Sequence, residues 1–289
     1  MPFAVGARGT RVHYRVVGDR GDNVVLVQGL GLSSRFWFEQ PELLAEDPAR
    51  PRRVLVIDNR GTGKSDKPRP PYRMSQMADD VVAAMDAANM RRATIVGISM
   101  GGMIAQHVAL RHPNRVDGLV LLATTPGLPH GRLPGLRALA TLISLPLMVP
   151  RGGRKLLAKI LLTKAQQPNA RELMSEWPAA LKEEPMPPLA FLGQLAAVAL
   201  HSTGFRLKRL DVPVVVVGAE HDILLPAACS RRLAKLIPHA ELEMLSDAAH
   251  GIPITDRDVV RRALERVRAL DLPLGQSMRP PAPPAHEAA

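Results

Sequence analysis

Residues 93–102 read Ala93-Thr94-Ile95-Val96-Gly97-Ile98-Ser99-Met100-Gly101-Gly102. The run to Ile98 is short, apolar and β-branched, which suits a strand buried on both faces. Met100 to Arg111 continues with helical spacing. Between them stands Gly-x-Ser-x-Gly, with a further glycine at 102. A serine on a sharp strand-to-helix turn leaves no room for side chains two residues to either side, and Gly97 and Gly101 supply that room. The helix start beyond it offers free N–H groups and the positive end of a dipole, where an oxyanion would form. Ser99 is thus the candidate nucleophile.

Similar runs recur along the chain, each ending in a polar or glycine-rich turn. They are Val24 to Gln28, Val54 to Ile57, Leu119 to Ala123, Val212 to Val217 and Ala240 to Leu245. Thr10 to Val17 alternates and fits an N-terminal antiparallel hairpin. Helical patterns lie between: Met74 to Met90, with Ser75 as its expected cap, Pro226 to Leu236, and Asp256 to Leu270. Strands alternating with helices predict an α/β fold, with a mostly parallel central sheet of about eight strands flanked by helices. From Leu128 to Phe205 the alternation stops. Helical segments at Leu136 to Leu147, Arg154 to Leu162, Arg171 to Leu181 and Leu189 to Leu200 predict an inserted helical cap. The expected organisation is a core in two parts, 1–126 and 207–272, a cap at 127–206, and a disordered Pro-rich tail at 273–289.

The 289 residues are 46% hydrophobic, enough for a full core, but aromatics make up only 3%, so that core is aliphatic. The single cysteine, Cys229, excludes an intrachain disulfide and reads as a buried helix residue. Met1 to Gly9 has no signal-peptide pattern. The apolar stretch from Ala138 to Pro150 is broken by prolines and short of the roughly 20 residues a membrane span needs. A cytoplasmic protein without membrane insertion is expected. The formal net charge of +11 is spread along the chain, with no aromatic residues interleaved among the basic clusters. It predicts a solvated basic surface and no nucleic-acid partner.

A serine nucleophile needs a base, and the base an orienting acid. His250 follows the last strand and Asp222 the one before it. Both therefore lie at the carboxyl edge of the sheet, where Ser99 must also lie. His221 is a rival base, but it neighbours the acid on one loop. Asp247 is a rival acid, too close to His250 in sequence. The loop Gln28-Gly29-Leu30-Gly31 fills the place of a second oxyanion donor, so the backbone N–H groups of Leu30 and Met100 are assigned that role. Phe36 and Trp37 either line an acyl pocket or pack into the core. Leu142 and Met148, in the cap, are further candidates for substrate contact. The histidines lack metal-ligand spacing, and no cofactor is expected. Gly61-x-Gly63-Lys64-Ser65 falls short of a phosphate loop, since Asp58 stands where the first glycine belongs.

With these residues in view, the chain resembles the α/β-hydrolase fold superfamily, in its small serine esterase and lactonase-like branch. The Gly97–Gly102 turn, the Asp222 and His250 loops and Asp58-x-Arg60-Gly61-x-Gly63-x-Ser65 carry the resemblance. It implies that the Asp58–Ser65 segment is a structural turn under the active-site floor. One departure stands out: most relatives have histidine where this chain has Gln28. The resemblance implies cleavage of a small, hydrophobic carboxylic ester or lactone through an acyl-enzyme. Alternatives on the same fold are a cofactor-free haloperoxidase or perhydrolase and an aminopeptidase. The last would need acids such as Glu172, Glu176, Glu183 or Glu184 to hold a substrate amine. A non-catalytic member that binds a small ligand or a protein is the alternative of another class.

Overall fold

The computed structural model describes residues 2–148, 154–185 and 187–270. The strands are β1 (Phe3–Val5), β2 (Arg11–Val17), β3 (Asp22–Val27), β4 (Arg52–Ile57), β5 (Ala93–Ile98), β6 (Val116–Leu122), β7 (Val214–Ala219) and β8 (Glu241–Leu245). They form one eight-stranded sheet in the order β1-β2-β4-β3-β5-β6-β7-β8. β1 and β2 pair antiparallel, β2 runs antiparallel to β4, and every pair from β4 to β8 is parallel. The expected fold class is the observed one. β7 starts at Val214 rather than Val212 because Pro213 intervenes, and a proline brings no N–H to a ladder.

From β3 the chain moves to β4 on one side and then returns past β3 to β5 on the other. That reversal opens a crevice at the carboxyl ends of β3 and β5, the usual ligand position in such sheets. It sets the 28–31 loop beside Ser99.

Helices α1 (Gln40–Ala45), α2 (Met74–Ala87) and α3 (Met100–Arg111) connect the first strands. The segment between β6 and β7 carries α4 (Leu136–Met148), α5 (Arg154–Leu161), α6 (Ala170–Leu173), α7 (Trp177–Glu183) and α8 (Pro188–Ala199). α9 (Ala227–Leu236), α10 (Ile252–Thr255) and α11 (Val259–Ala269) complete the described residues. One face of the sheet buries Val25, Leu55, Ile95 and Leu121 against α2, α3 and α9, with Met77, Met85, Met90 and Met103 filling the interface. Methionine takes the gap-filling work that scarce aromatics leave undone. The other face buries Leu26, Val56, Val96 and Val120 against Trp37, Leu44 and the apolar stripe Val259, Val260, Ala263, Leu264 and Val267 of α11. Each fully buried Val, Leu or Ile here contributes about 1.5–3 kcal/mol.

Two local expectations are corrected. α2 begins at Met74 with Arg73 as its N-cap, so Ser75 already lies inside the helix. The Gln76 side chain accepts the Arg73 N–H at 3.1 Å and does the capping that Ser75 was expected to do. The single helix expected over Arg171 to Leu181 is two, α6 and α7, because the chain turns at 174–176 and Pro178 restarts it in a first turn. Cys229 is wholly buried in α9. The tail at 273–289 lies outside the described residues.

The segment after β6 leaves and rejoins the core at one point. Gly127 and Ser202 form an antiparallel bridge, and Thr203 N–H donates to Pro126 O at 2.9 Å.

Candidate active site

Ser99 sits between β5 and α3 with φ 54° and ψ −119°. This is backbone that L-residues rarely adopt, at a cost of about 1–3 kcal/mol. The surroundings hold it there. Ser99 N–H donates to Leu122 O at 2.9 Å, and the Thr124 hydroxyl donates to Ser99 O at 2.8 Å. A Cβ at position 97 would lie 2.3 Å from Gly101 O, and one at 101 would lie 2.0 Å from Val27 O. Both glycines are therefore steric necessities of the turn.

His250 and Asp222 come from the loops after β8 and β7. His250 Nδ1 is 2.7 Å from Asp222 Oδ2, and both residues are buried. The other carboxylate oxygen accepts the Leu224 and Leu225 N–H groups, each at 2.8 Å. The carboxylate oxygens thus accept three bonds, and the one to the imidazole is donated by Nδ1, which leaves Nε2 as the ring nitrogen not engaged by Asp222. Ser99 and His250 line one cavity of about 210 Å³, together with Gln28, Gly29 and Leu30. His221 and Asp247 are both exposed and outside its wall.

The 28–31 loop packs directly on the serine, since a Cβ at Gly29 would be 3.4 Å from Ser99 Cβ. Gln28 Oε1 accepts the Gly29 N–H at 2.8 Å, so glutamine holds this loop through its own amide. Below it, Asn59 Nδ2 donates to Gln28 O at 3.0 Å. Asp58 accepts the Ser34 N–H at 2.8 Å and the Lys64 N–H at 2.9 Å, and it lies 3.0 Å from His13 Nδ1. Burial pushes the Asp58 carboxyl up, but its hydrogen bonds from His13, Lys64 and Ser34 outweigh that and hold it below the ordinary range. Arg60 reaches Asp80 at 2.6 and 2.8 Å, a buried pair that ties the turn to α2. The 58–65 turn thus braces the floor and stands outside the cavity wall.

Phe36 and Leu142 line the cavity. Trp37 does not: it is 2% exposed and packs against the sheet with Leu44 and Val54, so its role as a substrate contact is corrected to core packing. The side chain of Met148 lies outside the described residues. Trp177 of α7 occupies the wall instead, with its ring centroid 4.9 Å from that of Phe36. The sequence carries one sign of it: a tryptophan in a chain with only two. His201 also faces the cavity. Its Nε2 is 3.1 Å from Thr125 O, and its ring lies 5.4 Å from that of His107. Burial drives both imidazoles toward the neutral form, His107 to about 3 and His201 to about 4.

A family model described as alpha/beta hydrolase fold matches residues 22–147. A protein of Caulobacter vibrioides named "Putative carbamate hydrolase RutD" is 32% identical over 263 residues, covering 88% of this chain and 93% of that one. The chain belongs to the alpha/beta hydrolase fold family. Among solved structures, Est816, an N-acyl homoserine lactone degrading enzyme, aligns with TM-score 0.74 at 28% identity, over 91% of this chain and 99% of its own. The enol-lactonase of Burkholderia xenovorans LB400 aligns with TM-score 0.76 at 25% identity, over 93% and 100%. The coarse class common to this alpha/beta hydrolase and its relatives is hydrolase. Among its described residues, no helix is long and apolar enough to cross a membrane.

Proposed function

We propose that the protein is a serine hydrolase that cleaves a small, hydrophobic carboxylic ester or lactone. The observation that carries this reading is the shared cavity wall: Ser99 on its strained turn and His250, paired with Asp222, face the same apolar space.

In the proposed mechanism His250 Nε2 takes the hydroxyl proton as Ser99 Oγ attacks the carbonyl carbon. Asp222 orients the ring and stabilises the imidazolium. The N–H groups of Leu30 and Met100 hold the oxyanion, each donor contributing about 3 kcal/mol to the barrier reduction. His250 returns the proton to the leaving alcohol, then activates water to cleave the acyl-serine. In a lactone the leaving alcohol stays tethered to the acyl group.

The lining favours an apolar substrate. Leu30, Leu32, Phe36, Leu142, Leu157 and Trp177 dominate the wall, and among the described lining residues there is no carboxylate. That counts against an aminopeptidase, whose substrate amine would need one. A second reading comes from the RutD relatives: a carbamate would present the same carbonyl with nitrogen beside it.

The deciding experiment is turnover of p-nitrophenyl acetate to octanoate, alongside labelling by a fluorophosphonate probe. Labelling lost in Ser99→Ala, and ester turnover far above that of an N-alkyl carbamate analogue, support the ester reading. A folded wild-type chain that neither labels nor turns over any ester sinks it.

A further inference from the structure

Helix α8 reads Pro-Leu-Ala-Phe-Leu-Gly-Gln-Leu-Ala-Ala-Val-Ala, and Gln194 is its one polar side chain. It is 0% exposed. A buried amide has to place both ends or lose the free energy of leaving them bare. Gln194 Oε1 accepts the Gly31 N–H at 2.8 Å, and its Nε2 donates to Arg60 O at 2.8 Å. Both partners are backbone groups of the frame around Ser99: one in the 28–31 loop, the other in the 58–65 turn beneath it.

The bonds of that loop single out one donor. Gly29 N–H goes to Gln28 Oε1, Gly31 N–H to Gln194 Oε1, and Leu32 N–H to Gly29 O at 3.4 Å. Among the described residues no acceptor meets the Leu30 N–H. The peptide that carries it lies between two pinned ones, and Gly31 turns the chain with φ +75°. An amide in a segment far along the chain therefore sets the direction of the proposed oxyanion donor.

On the serine-hydrolase reading, on which this rests, we infer that Gln194 is a positioning residue for the oxyanion site. It fixes Leu30 N–H toward the developing charge without touching substrate. It is absent from the cavity wall.

The test is Gln194→Met, which keeps the volume and removes both bonds. Gln194→Ala accompanies it to keep the test open if Met does not fold: water then solvates the two backbone groups but, untethered to the chain, does not hold the loop to the 58–65 turn. Turnover of p-nitrophenyl butyrate is measured with each. So is inhibition by an alkyl trifluoromethyl ketone, to which Ser99 Oγ adds as its proton passes to His250, leaving an oxyanion. The expected result is a kcat at least about tenfold lower with KM within about twofold; complete loss of such a donor costs about 10²–10³. Ketone affinity falls by the same factor as kcat/KM, while affinity for the matching secondary alcohol, which forms no oxyanion, is unchanged. A folded variant with kcat within twofold of wild type overturns the inference. So does an equal loss of alcohol affinity, the mark of a collapsed cavity. Ser99→Ala turning over ester at the wild-type rate is a separate failure: it removes the serine reading itself.

Discussion

Three side chains are asked to do distinct work, and their replacements separate them. Ser99→Ala and His250→Ala remove the proposed nucleophile and its proposed base, and each is expected to lower kcat on p-nitrophenyl butyrate by about 10⁴–10⁶-fold. Asp222→Asn keeps the shape but donates where a carboxylate accepted, so the ring adopts the other tautomer and kcat falls about 10⁴-fold. Steady-state kinetics on folded protein check all three, and a rate near wild type for any of them removes that residue from the mechanism. The positions of these residues were legible because each follows an apolar run at one edge of the sheet. Trp37 and Trp177 were not. Which of two aromatic residues turns into a cavity depends on the packing of a second layer, here Leu44 and α11 on one side and α7 on the other. Gln194 left a readable sign, a lone amide in an apolar helix, but its partners lie 163 and 134 positions away along the chain.

At the scale of elements, the turn from β5 to α3 has almost no tolerance. Gly101→Ala puts a methyl 2.0 Å from Val27 O, backbone that cannot swing aside as a side chain can. The expected outcome is a melting temperature lower by at least about 5 °C, or no soluble protein, by calorimetry. A melting temperature within 1–2 °C of wild type refutes this account of the turn. The wall built by α7 is the opposite case. Trp177→Ala opens apolar space beside Phe36, and the preferred acyl chain is expected to lengthen by about two or more carbons at some cost in stability. Competition among acetate, butyrate, hexanoate and octanoate esters reads this directly, and an unchanged preference excludes Trp177 as a chain-length determinant. The core elements were legible from their runs to within a few residues, since a strand covered on both faces has little choice of composition. The helices between β6 and β7 were legible as helices only. Their breaks follow prolines and local turns that periodicity smooths over, as at 174–176.

For the whole molecule, acid is the informative variable. His107 and His201 stay neutral in the folded chain until pH falls to about 3 and about 4, against 6.5 for a free imidazole. Between those values the unfolded chain binds protons that the folded chain refuses. Stability from this source is therefore complete above pH 6.5 and declines as pH drops toward 4. Acidifying from 6.5 to 5 is expected to remove up to about 2 kcal/mol for each ring. His107→Phe keeps a ring in place and deletes one titration, so its urea midpoint should fall less over this interval than that of wild type. Equal slopes for the two proteins show that His107 does not resist protonation.

The bridge between Gly127 and Ser202 also bears on how such a molecule diversifies. A detour whose two ends meet is a cassette. Its length can change without shifting strand register, although it also holds the core elsewhere, through Gln194 to Gly31 and through the Gly251 N–H to Leu161 O at 2.9 Å. Substrate choice can then drift while the reacting groups stay fixed. On the role proposed for Gln194, that freedom has a limit: any transplanted cassette must bring its own acceptor to Gly31, or it imports a new pocket and loses the alignment of the proposed oxyanion donor.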